Sequence, residues 1–211
     1  KLINPNICLI QPISSNIFGN SKDQFISEST IIDPLSPYAI AKATALYICR
    51  YYRSVYNLKI VNPILFNHES ERRTTEYVSR KISMAAANIK LKRQEVLYLG
   101  DISGQIDWGY APEFVKYMTM LAFEGHFGEY IIGTGKLISV REFAENCFNF
   151  LDLDFERYLE IDQKLIRPSK NKPLRANTKK ISSIIDFSPK IYGEKLCEKL
   201  TSFDFNSLSK A

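Results

Sequence analysis

The stretch that decides the fold is SPYAIAKATALYICRYYRSVYNLKIVNPILFN, Ser36 to Asn67. Ser36 is a helix N-cap residue and Pro37 sits where proline suits the first helical position. Ala39, Leu46, Ile48, Tyr52 and Tyr56 recur at helical spacing, so one long helix should run to about Asn57. KIVNPILFN then reads as a buried strand. Upstream, NICLI (Asn6–Ile10) is a short apolar strand ending at Pro12. Downstream, helical patterns in TTEYVSRKISMAAANIK, APEFVKYMTMLAFE and SVREFAENCFNFL alternate with the strand-like runs EVLYLG and GEYIIGTG. Past Asp152 the pattern is less regular, and TKKISSIID and YGEKLCEKLTSF read as two short helices. The alternation predicts an α/β fold with a mostly parallel sheet flanked by helices.

The 211 residues suffice for one domain with a full core, and the 45% apolar and 24% charged fractions are those of a globular protein. A net charge of +5, dispersed along the chain, gives no basic block and argues against nucleic-acid binding. Four scattered cysteines without a CxxC spacing read as reduced thiols of a cytoplasmic protein, and two histidines with no acidic cluster at ligand spacing argue against a metal site. No apolar run has membrane-spanning length, and KLINPNICLI has neither the apolar core nor the cleavage site of a signal peptide.

Two tyrosine–lysine pairs stand four residues apart, Tyr38/Lys42 and Tyr77/Lys81. At that spacing a lysine ammonium lies beside the phenol and favours the phenolate, lowering a pKa that is ordinarily about 10. The spacing alone also describes a solvated helix face. Tyr38 and Lys42 are distinguished by the preceding Ser-Pro and by the QPISSN stretch (Gln11–Asn16) upstream, which puts two serines after a strand.

QPISSNIFG, SPYAIAKATA, NPILFNHESERR, EYVSRKI, LYLGDISGQIDWGYAPEFVKYM and YIIGTGKLISVREF follow one another in an order that resembles the GDP-mannose 4,6-dehydratase family of extended short-chain dehydrogenases/reductases. The resemblance runs from about Ile10 to Phe143 and thins through the tail. It implies an incomplete Rossmann-like parallel sheet over residues 1–66, carrying the Ser/Tyr/Lys site. A small C-terminal substrate-binding lobe over 67–211 would be interleaved with the last sheet strands. It implies conversion of GDP-mannose to the 4-keto-6-deoxy sugar nucleotide with NADP as internal hydride carrier. Tyr38 would be the base at the sugar O4, Lys42 its partner on the cofactor ribose, and Ser14 the hydroxyl that polarises O4. His68 and Arg73 match cofactor-contacting positions; the alternatives are a loop histidine bonded to backbone and a solvated arginine. Arg80, Lys81 and Arg167 match the nucleotide-sugar side, with a helix face or a surface arginine as the alternatives. Trp108 and Tyr110 read as core or pocket wall, and dimers or tetramers are implied by analogy.

Three positions depart from the family pattern. Asn16 stands where the family has the glutamate that removes the C5 proton, and an amide cannot act as a base. Glu76 replaces an asparagine and Ile106 an arginine near the anionic ligand. No glycine-rich strand-to-helix turn occurs in the chain, so by itself it is expected to bind NADP poorly. The departures leave two alternatives beside the dehydratase: a GDP-sugar 4-keto reductase or epimerase, which needs no base at position 16, and a catalytically inactive truncated paralogue or partner subunit.

Overall fold

The computed structural model describes residue 4, residues 7–166 and residues 172–210. Its elements, in chain order, begin with Cys8–Ile10 (β1) and Ile13–Ser14 (β2), then Pro37–Tyr56 (α1), Lys59–Leu65 (β3) and Asn67–Glu69 (β4). Next come Val78–Lys90 (α2), Leu97–Leu99 (β5), Gln105–Ile106 (β6), Trp108–Tyr110 (β7) and Ala111–Phe123 (α3). Gly128–Ile132 (β8), Ile138–Ser139 (β9), Val140–Asn149 (α4), Leu159–Ile161 (β10), Lys179–Ser182 (α5) and Glu194–Ser209 (α6) complete the order.

The expected helix forms as read. The Ser36 hydroxyl accepts the Ala39 N–H at 3.1 Å, Pro37 occupies the first turn, and Asn57 closes the helix in the left-handed region at φ 48°. Its buried face, Ala39, Ala43, Leu46 and Cys49, lies against the sheet.

β3 is the centre of that sheet. β1 and β2 pair with one edge of it and β8 with the other, all parallel, with Cys8 opposite Lys59 and Val61 opposite Gly128. Beyond β1 and β2 no further strand pairs among the described residues. A proline inside a central strand is unusual, because it cannot donate to the ladder. Pro63 explains why the NICLI strand resumes as β2 after a gap. Gln11 donates its N–H to the Val61 carbonyl at 2.9 Å, and in a parallel ladder its own carbonyl would accept from residue 63. Pro63 has no N–H to give. The fully buried Asn62 supplies its Nδ2 instead, 3.2 Å from the Gln11 carbonyl.

α1 is fastened to the same sheet by charge. Glu129 of β8 accepts from Arg50 at 2.8 and 2.5 Å and from Arg53 at 2.6 Å, and Arg53 also donates to Asn62 Oδ1. Burial alone would raise the Glu129 carboxyl, but the hydrogen bonds and charges of the two arginines outweigh it and hold the group below its ordinary value.

A second core gathers α2, α4 and α6 over β5, β7 and β10, with the Trp108 and Phe143 rings 4.8 Å apart. The C-terminal pattern was expected to end in two short helices. α5 is short, but α6 has 16 residues, because Leu196, Cys197, Leu200, Thr201 and Asp204 form one buried stripe against α2 and α4. β10 was not foreseen; it pairs parallel with β5.

Asp107 joins the parts. Its buried carboxylate accepts from Thr134 N and Oγ1 (2.9 and 2.5 Å), Gly135 N (2.9 Å) and Ala176 N (3.1 Å). Burial pushes this carboxyl up, and the four donors oppose the shift.

Candidate active site

In a parallel sheet the carboxyl ends of the strands lie on one side, where ligands of open α/β folds bind. Ser14 ends β2, opposite Leu65 at the end of β3, and His68 follows three residues later in β4. The Ser14 hydroxyl accepts the Asn16 N–H at 3.2 Å, capping the 3₁₀ turn Ser15–Phe18, so its own proton remains available to a ligand. Asn16 is exposed at the first turn beyond it.

Tyr38 and Lys42 lie in the first two turns of α1. The Lys42 ammonium donates to the Pro12 carbonyl at 3.1 Å, two residues before Ser14, and lies 5.8 Å from the centre of the Tyr38 ring. One of its three protons is committed there, leaving two for other acceptors. Tyr38 is 55% exposed.

The His68 Nδ1 is 2.8 Å from the Phe66 carbonyl, and the ring rests 5.4 Å from that of Phe114. Burial lowers its pKa and the Arg73 charge adds to this, against the backbone hydrogen bond, so the imidazole is neutral near pH 7 with Nδ1 as donor. Arg73 stacks 3.4 Å over the Tyr77 ring and lies 3.4 Å from Glu69. His68, on β4, and Arg73, in the turn after it, thus belong to one strand-and-turn segment, the His68–Arg73 loop.

Arg80 is placed differently from the other expected site residues. It is 5% exposed, with its guanidinium paired to Asp204 of α6 and donating to Ser83 at 3.3 Å and to the Arg73 carbonyl at 3.2 Å. Lys81, next on α2, is half-buried. Arg167 lies outside the described residues. Glu76 is exposed before α2, whereas Ile106 pairs with Ile138 and packs against the second core, so its side chain has a packing task. Glu69, Glu71 and Asp204, which tie the His68–Arg73 loop to its surroundings, escaped the sequence reading. Glu71 and Asp204 meet their partners, Lys199 and Arg80, only across the fold, and Glu69 meets Arg73 at an i, i+4 spacing that occurs outside any helix.

A strand-end serine with a tyrosine and a lysine one helical turn apart on the next long helix is the arrangement expected of a short-chain dehydrogenase/reductase. The fold is shared with solved structures. RMD from Pseudomonas aeruginosa complexed with NADPH superposes with a TM-score of 0.86 at 18% identity, over 94% of this chain and 66% of that one. The dTDP-glucose 4,6-dehydratase of Bacillus anthracis in complex with NAD gives 0.82 at 21%, over 94% and 62%. The sequence narrows the class. The family profile of GDP-mannose 4,6 dehydratase matches residues 2–200. GDP-mannose 4,6 dehydratase 2 of Arabidopsis thaliana is 35% identical over 191 residues, covering 90% of this chain and 51% of that protein. The Dictyostelium discoideum enzyme is 34% identical, over 92% and 59%. The chain belongs to the GDP-mannose 4,6-dehydratase family, and it spans about half the length of the curated relatives it matches.

Proposed function

We propose that this chain is the sugar-binding and proton-transfer portion of a GDP-mannose 4,6-dehydratase-type protein using NADP. The observation that carries the reading is the attachment of Lys42, through the Pro12 carbonyl, to the strand end that presents Ser14. The two uncommitted Lys42 protons suit ribose hydroxyls, and the neutral His68 and the Arg73 cation suit the rest of a nicotinamide nucleotide. When bound, that cofactor would accept and return the hydride. The chain's own residues would act on protons: Ser14 would donate to the sugar O4, and Tyr38, with Lys42 beside its ring, would take the O4 proton. Arg80 and Lys81 lie on the helix proposed for the sugar nucleotide, with Lys81 free of the buried pairing that occupies Arg80.

The proposed sugar-nucleotide lobe lies after residue 66 and is interleaved with the last strand of the Ser/Tyr/Lys sheet, β8, which pairs with β3. A cytoplasmic setting fits the four free cysteines. Self-association fits α1, where Ile40, Tyr47, Ile48, Tyr51 and Val55 form a stripe of side chains each more than half exposed. Among the described residues no helix is long and apolar enough to cross a membrane.

A second reading rests on Asn16. With an amide there, Ser14, Tyr38 and Lys42 suffice for 4-keto reduction or epimerisation, but removal of the C5 proton lacks its base. The test uses the chain extended by a glycine-rich dinucleotide-binding segment, with GDP-mannose and NADP. Asn16→Glu should raise formation of the 4-keto-6-deoxy product by on the order of 10²-fold or more. No gain, with the variant folded, would defeat the dehydratase reading of this site.

A further inference from the structure

We propose that α6 is a positioning strap for the loop that carries His68 and Arg73, acting through Asp204 and Lys199. The proposal rests on the cofactor reading only for the task of that loop; the strap itself is a matter of contacts.

Asp204 and Arg80 are 1% and 5% exposed, an ion pair removed from water between α6 and α2. Ser83 donates a further hydrogen bond to Asp204 at 2.6 Å. A buried pair of this kind is seldom a large net source of stability, because desolvation offsets the attraction. Its geometry is what distinguishes it. With one end of the guanidinium fixed by Asp204, Arg80 Nε is aimed at the Arg73 carbonyl, 3.2 Å away. That carbonyl belongs to the residue whose side chain stacks on Tyr77 and approaches Glu69. Thus α6 fixes the backbone of Arg73 through a single rigid fork.

Five residues earlier on α6, Lys199 reaches the same loop from outside. Its ammonium is 3.5 Å from Glu71 and 5.0 Å from the centre of the Tyr110 ring. The Tyr110 hydroxyl donates to both Glu71 oxygens at 3.1 Å. The loop is therefore held at Glu71 and at Arg73 by one helix. His68, the residue before Glu69, inherits its setting from this arrangement: burial against Phe114, the Phe66 carbonyl, and the nearby Arg73 charge.

The chain has two histidines, so each imidazole can be titrated separately by NMR. Arg80→Lys keeps a cation opposite Asp204 but removes the Nε donor to Arg73. Lys199→Met keeps the stem over Tyr110 and removes the charge on Glu71. Both burial and Arg73 depress His68, against the Phe66 carbonyl that precedes the released segment, so releasing the loop should move its titration upward. His126, beside Glu124 after α3, should not move. A merely structural role would lower the melting temperature and leave the His68 titration where it was. Folded variants with an unchanged His68 overturn the strap. Should Arg80→Lys fail to fold, the half-exposed Lys199→Met decides alone: a shift supports the proposal and its absence ends it. The titration needs no nucleotide. A His68 shift, together with no effect of either variant on NADP affinity when the chain is extended by the glycine-rich dinucleotide-binding segment, would uphold the strap while counting against the cofactor role of the loop.

Discussion

Glu129→Gln is the substitution whose cost the structure defines best. The Glu129 side chain is 12% exposed and serves two arginines with one carboxylate. Arg50 is 39% exposed, so water replaces much of what it loses, and its share stays at the scale of exposed pairs, under ~1 kcal/mol. Arg53 is 18% exposed and is held between α1 and the sheet; leaving that charge without its carboxylate costs about 2–3 kcal/mol. Together the loss is about 3 kcal/mol, or roughly 6–12 °C in melting temperature for a chain of this size. Urea unfolding followed by the single tryptophan, the buried Trp108, measures it. The pH dependence supplies a second reading. Because the folded carboxyl is held below its ordinary value, the unfolded chain takes up the proton first as pH falls. The stabilisation is complete above the unfolded carboxyl value of about 4.3 and is lost as pH drops through the depressed folded one. Glu129→Gln should lack that component of the acid slope. A loss below about 1 kcal/mol, or an acid slope identical to that of the parent chain, would refute the argument that this carboxylate anchors α1.

Two further substitutions test the sheet and its neighbour. Asn62→Leu removes the donor to the Gln11 carbonyl and the acceptor for Arg53, two partly buried groups, and should cost about 2–4 kcal/mol by the same unfolding measurement. Gly109→Ala would set a methyl 2.4 Å from the Phe114 ring, which also rests against the ring of His68, the residue opposite Gly109 in the ladder; a loss of about 1–3 kcal/mol is expected, and a neutral variant would show that the ring yields freely.

The elements that could be read in the sequence are those written in local terms. Ser36, Pro37 and the spacing from Ala39 to Tyr56 specify α1 without help from elsewhere, and the serines before it mark a strand end. The parallel character of the sheet followed from alternation of strands and helices, but its order, with β3 at the centre, did not. What could not be read depends on partners remote in the chain. Arg80 looks like any cation on a helix until α6 brings Asp204 to it, and the tail looked irregular because the buried stripe of α6 contains Thr201 and Asp204 among its apolar residues. β10, three residues long, has no pattern of its own and is specified by β5. Of the candidate site, the sequence named Ser14, Tyr38, Lys42, His68 and Arg73; the structure puts Ser14 and Lys42 at one strand end and gives His68 and Arg73 a common loop. It could not name the carboxylates that hold that loop.

The proline at position 63 has a consequence for how the sheet finds its alignment. Short parallel strands of apolar residues offer little to tell one alignment from the next, and a slip of one residue turns every side chain to the wrong face. In the observed pairing the missing N–H of Pro63 and the amide of Asn62 meet the same carbonyl. Any shifted pairing would bury that amide away from its acceptor and leave the Gln11 oxygen bare, at about 1–3 kcal/mol for each group. The irregular spot in the ladder thus acts as an index mark, recognised only when β1 and β3 come together in a single alignment.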